Sequence, residues 1–387
     1  MIKGMVIIGP YPPSPLSRIR KYPKAKYRRV LVVAVVLLMR RLAALLAVAT
    51  CAVVALAAYL TLQPSTPPST PATAKVRVGC QPGWHHTALF IMLEKEWAQR
   101  VLGVELDVRV FSTGPEEMEA FAAGALDVAY VGAAPPLSII AKGARAKIVA
   151  VANTEGSSVV VRPDLAYEGP RSLIGKAIGC YPPGSIQHTL LTKWLRDNGV
   201  DPDKEVTMRF QGPAEQLESL RVKAIDAAFV PDPHPYVAVV RGYGRMAVNS
   251  SEMWPHHPCC VVLMSEDFIA RNREVAVKLV ALHVIASEYA MRSENREEVV
   301  SILVKHLGIE RRVAETFPGT TSLETDPRNP EWLSGLDHMC QVHYDLGLTK
   351  DPEGRVVRLK ASEIVDASLY EDALKLVPRI KAELGLR

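Results

Sequence analysis

From Lys75 onward, short apolar runs rich in β-branched residues alternate with segments whose apolar positions recur every three or four residues. The first pattern predicts strands and the second amphipathic helices; their alternation predicts an α/β architecture with largely parallel sheets. Val104, Leu106, Val108 and Val110 alternate with Glu105, Asp107 and Arg109, the period-two signature of a strand with one apolar face. Ser112-Thr113-Gly114-Pro115 opens the following helix, and Thr113 and Glu116 have capping-box spacing. Val261 to Met264 is a continuous apolar run, expected to be a buried strand returning to the sheet. Beyond Ser265, helical periodicity in ALHVIASEYAMR, VVSILVKHLG and LYEDALKLVPRIKAEL predicts helices that support the first unit and the surface between the two units, with their charges on a solvated face.

The pattern occurs twice. Phe111 and Phe210, Met118 and Leu217, Phe121 and Leu220, and Asp127 and Asp226 each stand 99 residues apart, and ALDVAYV at Ala125 to Val131 matches AIDAAFV at Ala224 to Val230. KVRVGCQPGWHHTALF, from Lys75, is echoed by KAIGCYPPGSIQHTLL, from Lys176. The spacing is too long for a solenoid, so two facing α/β lobes are expected, with a ligand cleft at the carboxyl ends of their strands. That rule selects the loops Gln81 to His86, Ser112 to Gly114, Gly132 to Pro135, Asn153 to Gly156, Tyr181 to Gln187, Gln211 to Gly212 and Pro231 to His234. From them His86, Thr154, Gln211, Asp232 and His234 are candidate ligand contacts.

The loop at Tyr181 to Gln187 carries the strongest local chemistry. Ser185 suits an N-cap, Ile186, Leu190, Leu191, Trp194 and Leu195 form a helical apolar face, and Asn198-Gly199 supplies a stop. Free backbone N–H groups at that helix start, with the Ser185 hydroxyl and the Gln187 amide, suit an anion without any lysine or arginine. A plain strand-to-helix turn is the competing reading. Trp84, His85 and His86 stand at the matching place in the first unit.

Charge changes the picture mainly at the amino end. Residues 1–41 hold ten lysines and arginines and no acid, which leaves 36 basic against 41 acidic residues in the rest. A mildly acidic body removes the electrostatic basis for nucleic-acid binding. Residues 42–62 are an uncharged apolar run long enough to span a bilayer, and the basic tail before it would stay cytoplasmic, sending the rest of the chain outside. A cleaved signal segment is the alternative, with the same consequence. Residues 63–74, rich in Pro, Ser and Thr, read as a stalk.

The six cysteines include no C-x-x-C pair. His85-His86, His234 and His256-His257, with Cys259-Cys260, raise metal binding or cysteine chemistry as alternatives. Adjacent histidines do not readily share one tetrahedral ion, so neither a metal nor a cofactor is expected.

GCQPGWHH, FSTGPEEMEAFAAGALDVAYVGAAP, VANTEGSSVVV, PPGSIQ, AIDAAFVPDPHP and WPHHPCCVV, in this order, resemble the nitrate/sulfonate/taurine group of ABC-transporter substrate-binding proteins. The resemblance runs from about Val76 to the C-terminus. It implies a two-lobed type II periplasmic-binding-protein fold with a central ligand cleft, here preceded by an N-terminal transmembrane helix. Residues 75–154 and 250–387 would form the first lobe and 155–249 the second. It further implies a small anionic solute, an ABC permease with its ATPase as partners, no enzymatic activity, and ligand contacts at Trp84, His85, Ser112, Gly132, Ala133, Gly184, Ser185, Ile186 and Gln187. Relatives often carry an aromatic-acidic-aromatic stretch where this chain has Pro231-Asp232-Pro233-His234, so ligand preference does not transfer. A more distant resemblance, to proteins that bind or make thiamine pyrimidine precursors, keeps a metal- or cysteine-dependent enzyme as the second reading.

Overall fold

A computed structural model describes residues 74–386, together with Met39. The expected cytoplasmic tail, the apolar run at 42–62 and the stalk lie outside the described residues, apart from Met39 and Ala74. Among the described residues no helix is long and apolar enough to cross a membrane.

Among the described residues eleven strands form two sheets. The first sheet contains β1 (Ala74–Cys80), β2 (Val104–Val110), β3 (Val128–Gly132), β4 (Ala146–Glu155), β10 (Pro258–Ser265) and β11 (Thr321–Ser322), in the order β11-β4-β10-β3-β1-β2. The second contains β5 (Ser157–Val161), β6 (Ala177–Cys180), β7 (Thr207–Phe210), β8 (Ala227–Pro231) and β9 (Arg245–Asn249), in the order β7-β6-β8-β5-β9. The two orders superimpose when β2, β1, β3, β10 and β4 are set against β7, β6, β8, β5 and β9.

The internal echo is visible in single hydrogen bonds. Asp127 accepts from Arg77 N at 3.0 Å and Asp226 from Ala177 N at 2.9 Å. Phe111 N and Gln211 N each donate, over 2.9 Å, to the carbonyls of Cys80 and Cys180 that end β1 and β6. The paired aspartates pin equivalent strands in the same register.

The sheets are not largely parallel. β1 pairs in parallel with β2 and β3, and β6 with β7 and β8, but β10 is antiparallel to β3 and β4, and β5 to β8 and β9. The reversal arises at the crossings: the chain leaves the first sheet between β4 and β5, and returns between β9 and β10. At the first crossing Glu155 and Gly156 have φ of 60° and 86°, and at the second His256 has φ of 55°. His256 N donates to Glu155 Oε1 at 2.8 Å, which ties the crossings together.

β10 is buried along nearly its whole length, as its continuous apolar run requires of a central strand. β2 is an edge strand, so Val110 at its end is 65% exposed despite the alternation. The helices named below are α1 (Gly114–Ala122), α2 (Ile186–Asp197), α3 (Arg273–Met291) and α4 (Pro330–Asp345). At α1 the expected capping box is altered: the Thr113 side chain makes no cap bond, and the Glu116 carboxylate instead accepts from Ser112 N at 3.2 Å. α3 is buried on most sides beneath the first sheet, where His283 Nε2 lies 2.8 Å from the Val151 carbonyl. α4 reaches the second lobe through His343 Nε2, 2.8 Å from Thr189 Oγ1.

Candidate functional site

The carboxyl ends of β1, β3, β6 and β8 converge on a partly open cavity. On the first-sheet side it is lined by Gln81, Gly114, Gly132 and Pro135, with His85 from a 3-10 turn at Trp84–His86. β10 runs against β3, so its amino end arrives at the same place and adds Cys259 and Cys260. The second-sheet side contributes Tyr181, Pro231, and Ser185, Ile186 and Gln187 at the start of α2. The cavity volume is about 20 Å³, room for little more than one water.

The start of α2 is built as its sequence predicts. Ser185 Oγ accepts from His188 N at 3.1 Å, and Gly184, at φ 88°, makes the turn into the helix. Ile186 and Gln187 have no carbonyl four residues back within the helix, so their N–H groups face the loop and cavity. The Gln187 amide donates one N–H to Ser157 Oγ at 3.1 Å and keeps the other.

Among the described residues no lysine, arginine, aspartate or glutamate lines the cavity. Burial lowers the His85 pKa to about 3, with His234 adding repulsion, and holds His86 well below its usual range, so both rings are neutral near pH 7. Burial also pushes the Cys260 thiol well up. Behind the cavity wall Gln81 Nε2 donates to Glu117, whose burial drives its carboxyl well above the usual range. Glu117 occupies the position held in the second lobe by Gln216, also buried. His85 Nδ1, His86 Nε2 and Glu117 Oε1 are buried without a protein partner among the described residues. Leaving such groups unpaired costs about 1–3 kcal/mol each; of the three residues, His85 lines the cavity and the other two stand behind its wall.

Of the expected contacts, the structure brings His85, Gly132, Ser185, Ile186 and Gln187 together at the cavity. Nine others are placed elsewhere. Trp84 is buried against Tyr236 and Phe317, with ring centroids 5.1 and 5.8 Å away, and serves the core. His86 stands behind His85, its Nδ1 2.8 Å from the Gln81 carbonyl. Ser112 is exposed at the rim, opposite Gly212. Ala133 is buried, donating its N–H to the Cys259 carbonyl at 2.7 Å. Thr154 sits within β4 between β10 and β11. Gly184 shapes the turn, while Gln211 turns its amide toward Glu215 and Ser219. Asp232 accepts from Thr320 and Thr321 over 2.9 to 3.0 Å, and His234 turns Nδ1 to the Pro231 carbonyl at 3.1 Å. Gln81, Gly114, Pro135, Tyr181 and Pro231 lie in the loops selected from the strand ends, but nothing in their residue types singles them out. Cys259 and Cys260, weighed in the sequence for metal or cysteine chemistry ahead of the Val261 to Met264 strand, reach the cavity because β10 runs antiparallel to β3.

Comparison with known proteins adds a family and a fold. The model of the NMT1-like family matches residues 69–304. A protein of Brucella abortus (strain 2308) that bears the name of a binding protein is 27% identical over 293 residues, covering 72% of this chain and 88% of its own. The periplasmic nitrate-binding protein NrtA from Synechocystis PCC 6803 has a similar structure, with a TM-score of 0.69 at 15% identity over 81% of this chain and 91% of that one. The alkanesulfonate-binding protein SsuA from Xanthomonas axonopodis pv. citri, bound to MOPS, gives 0.65 at 19% identity over 76% and 98%. At such identities the likeness establishes the two-lobed α/β periplasmic-binding fold.

Proposed function

The chain belongs to the NMT1-like family, and from that premise we propose that it is the extracytoplasmic solute-binding component of an ABC importer. In this reading it closes two lobes on a small anionic solute and presents the closed form to a permease and its ATPase. The observation that carries the reading is the cavity at the strand ends, walled by Gln81 and His85 from one lobe and by Ser185 and Gln187 from the other. A solute held by both walls stabilises the closed arrangement over the open one and shifts the population toward it. The paired crossings at Glu155-Gly156 and His256 supply the hinge.

Free space for about one water admits any solute only as the lobes part, and nitrate or bicarbonate would need a smaller displacement than taurine or a longer sulfonate. The anion would be held by the first N–H groups of α2, the Ser185 hydroxyl and amide N–H groups rather than by a formal charge. A thiamine-pyrimidine precursor suits this volume poorly. Cysteine catalysis is disfavoured because the buried Cys260 thiol resists forming a thiolate unaided. The apolar run at 42–62 would anchor the chain and place both lobes outside.

Calorimetric titration of the full chain with nitrate, bicarbonate, taurine and an alkanesulfonate tests the reading. Saturable one-to-one binding of at least one anion is expected, strongest for the smallest. Absence of binding by all four would remove it.

A further inference from the structure

Residues 85 and 86 do not point apart as they would on a strand. The 3-10 turn at Trp84–His86 rotates successive side chains by only about 120°, and the two imidazoles stand edge to face with centroids 4.3 Å apart. The amino end of β10 delivers Cys260 to the same spot. One ligand atom from each of His85, His86 and Cys260 lies within 4.8 Å of the other two, and all three residues are buried. Bonds of about 2.0 Å to nitrogen and 2.3 Å to sulfur set ligand atoms roughly 3.5 Å apart around a tetrahedral ion. The three side chains therefore need close by only about an ångström.

Among the described residues, hydrogen bonding leaves a donor nitrogen free on each of the two histidines. A carbonyl accepts only from a protonated nitrogen, so the 2.8 Å contact between His86 Nδ1 and the Gln81 carbonyl assigns the proton to Nδ1 and the free lone pair to Nε2. A backbone carbonyl on the far nitrogen is the arrangement that orients metal-binding histidines. His86 Nε2 and His85 Nδ1 are both buried without a protein partner among the described residues. Asn153 Oδ1 accepts from Cys260 N at 3.1 Å and fixes the backbone that carries the thiol.

We propose that His85, His86 and Cys260 form a binding site for a borderline-soft divalent transition ion, represented by Zn²⁺, with its remaining coordination position open to the interlobe cavity. Two neutral imidazoles and one thiolate are a donor set suited to such an ion. On binding, the Cys260 thiol releases one proton to solvent and its sulfur donates to the metal, leaving the site with a net charge of +1. That charge is one that no lining side chain carries, and it would attract an anion to the open position. This last consequence rests on the solute reading above; metal binding itself does not.

The test uses the full chain and metal alone. Calorimetry with Zn²⁺ in two buffers of different ionisation enthalpy is expected to show one ion per chain and release of one proton. Co²⁺ in place of Zn²⁺ is expected to give a thiolate-to-cobalt charge-transfer absorption in the parent chain, a readout that needs no variant. Cys260→Ser should abolish that band and weaken Zn²⁺ binding at least tenfold, whereas Cys340→Ser, at a buried free cysteine on α4, should retain both. No bound Zn²⁺, or Co²⁺ bound without the thiolate band, would overturn the proposal. A chain that binds Zn²⁺ but none of the four anions, with or without the metal, would sustain the metal site and remove the solute reading.

Discussion

Glu117 and Gln216 stand 99 residues apart in equivalent buried positions, one an acid and the other its amide. Burial raises the Glu117 carboxyl well above its usual range, so it stays protonated where an unfolded glutamate, ionising above about pH 4.5, would not. Folding stability at this residue is therefore full below pH 4.5 and declines as pH rises toward the folded-state value. Glu117→Gln is expected to leave stability in urea unchanged at pH 4 and to raise it at pH 8. A variant less stable than the parent at pH 8 would contradict a neutral Glu117. The buried histidines act at the opposite end. His283 and His343 are lowered to about 4 by burial, while unfolded histidines take up protons below about pH 6.5. Stability is thus retained above pH 6.5 and lost as pH falls toward 4, which melting temperatures measured from pH 7 to 4.5 would register as a steady decrease. Ser185 was legible from its sequence as a cap, and Ser185→Ala should cost about 1 kcal/mol in urea unfolding while weakening solute binding. The roles of His85 and His86 were legible only as residue types, because a 3-10 turn between strand and helix leaves no periodic mark.

At the scale of elements, apolar periodicity located the strands and helices, but it carries no information about strand direction. VVLM at Val261 to Met264 reads as a buried strand whether it runs parallel or antiparallel. Only its antiparallel course brings Cys259 and Cys260 to the cavity. Leu263 is fully buried in that strand, and Leu263→Ala should cost about 2–5 kcal/mol in denaturant unfolding. A loss below about 1 kcal/mol would mean that β10 is not the central strand. At the first crossing, a Cβ on Gly156 would meet Thr321 Oγ1 at 2.5 Å, and its φ of 86° disfavours any side chain. Gly156→Val is expected to destabilise the fold and to disturb lobe closure together, seen as a lower melting temperature and a weaker apparent solute affinity.

At the scale of the whole molecule, the duplicated pattern was the most informative feature of the sequence, since two equivalent sheets are its direct consequence. It pointed to the strand ends where the cavity lies, and to more loop residues than line that cavity. Trp84, Asp232 and Gln211 lie in the selected loops, yet core packing and local hydrogen bonds claim them, and a linear pattern does not record that competition. The central claim is that both lobes hold one solute. Its most direct measurement is calorimetric titration of Gln81→Ala and Gln187→Ala beside the parent chain, one substitution on each wall, using the anion that binds the parent most tightly. Each substitution is expected to weaken binding by about tenfold or more, in variants that still melt cooperatively but a few degrees below the parent, because Glu117 and Ser157 each lose a buried partner. Unchanged affinity in either variant would place the solute on one lobe alone and contradict that claim.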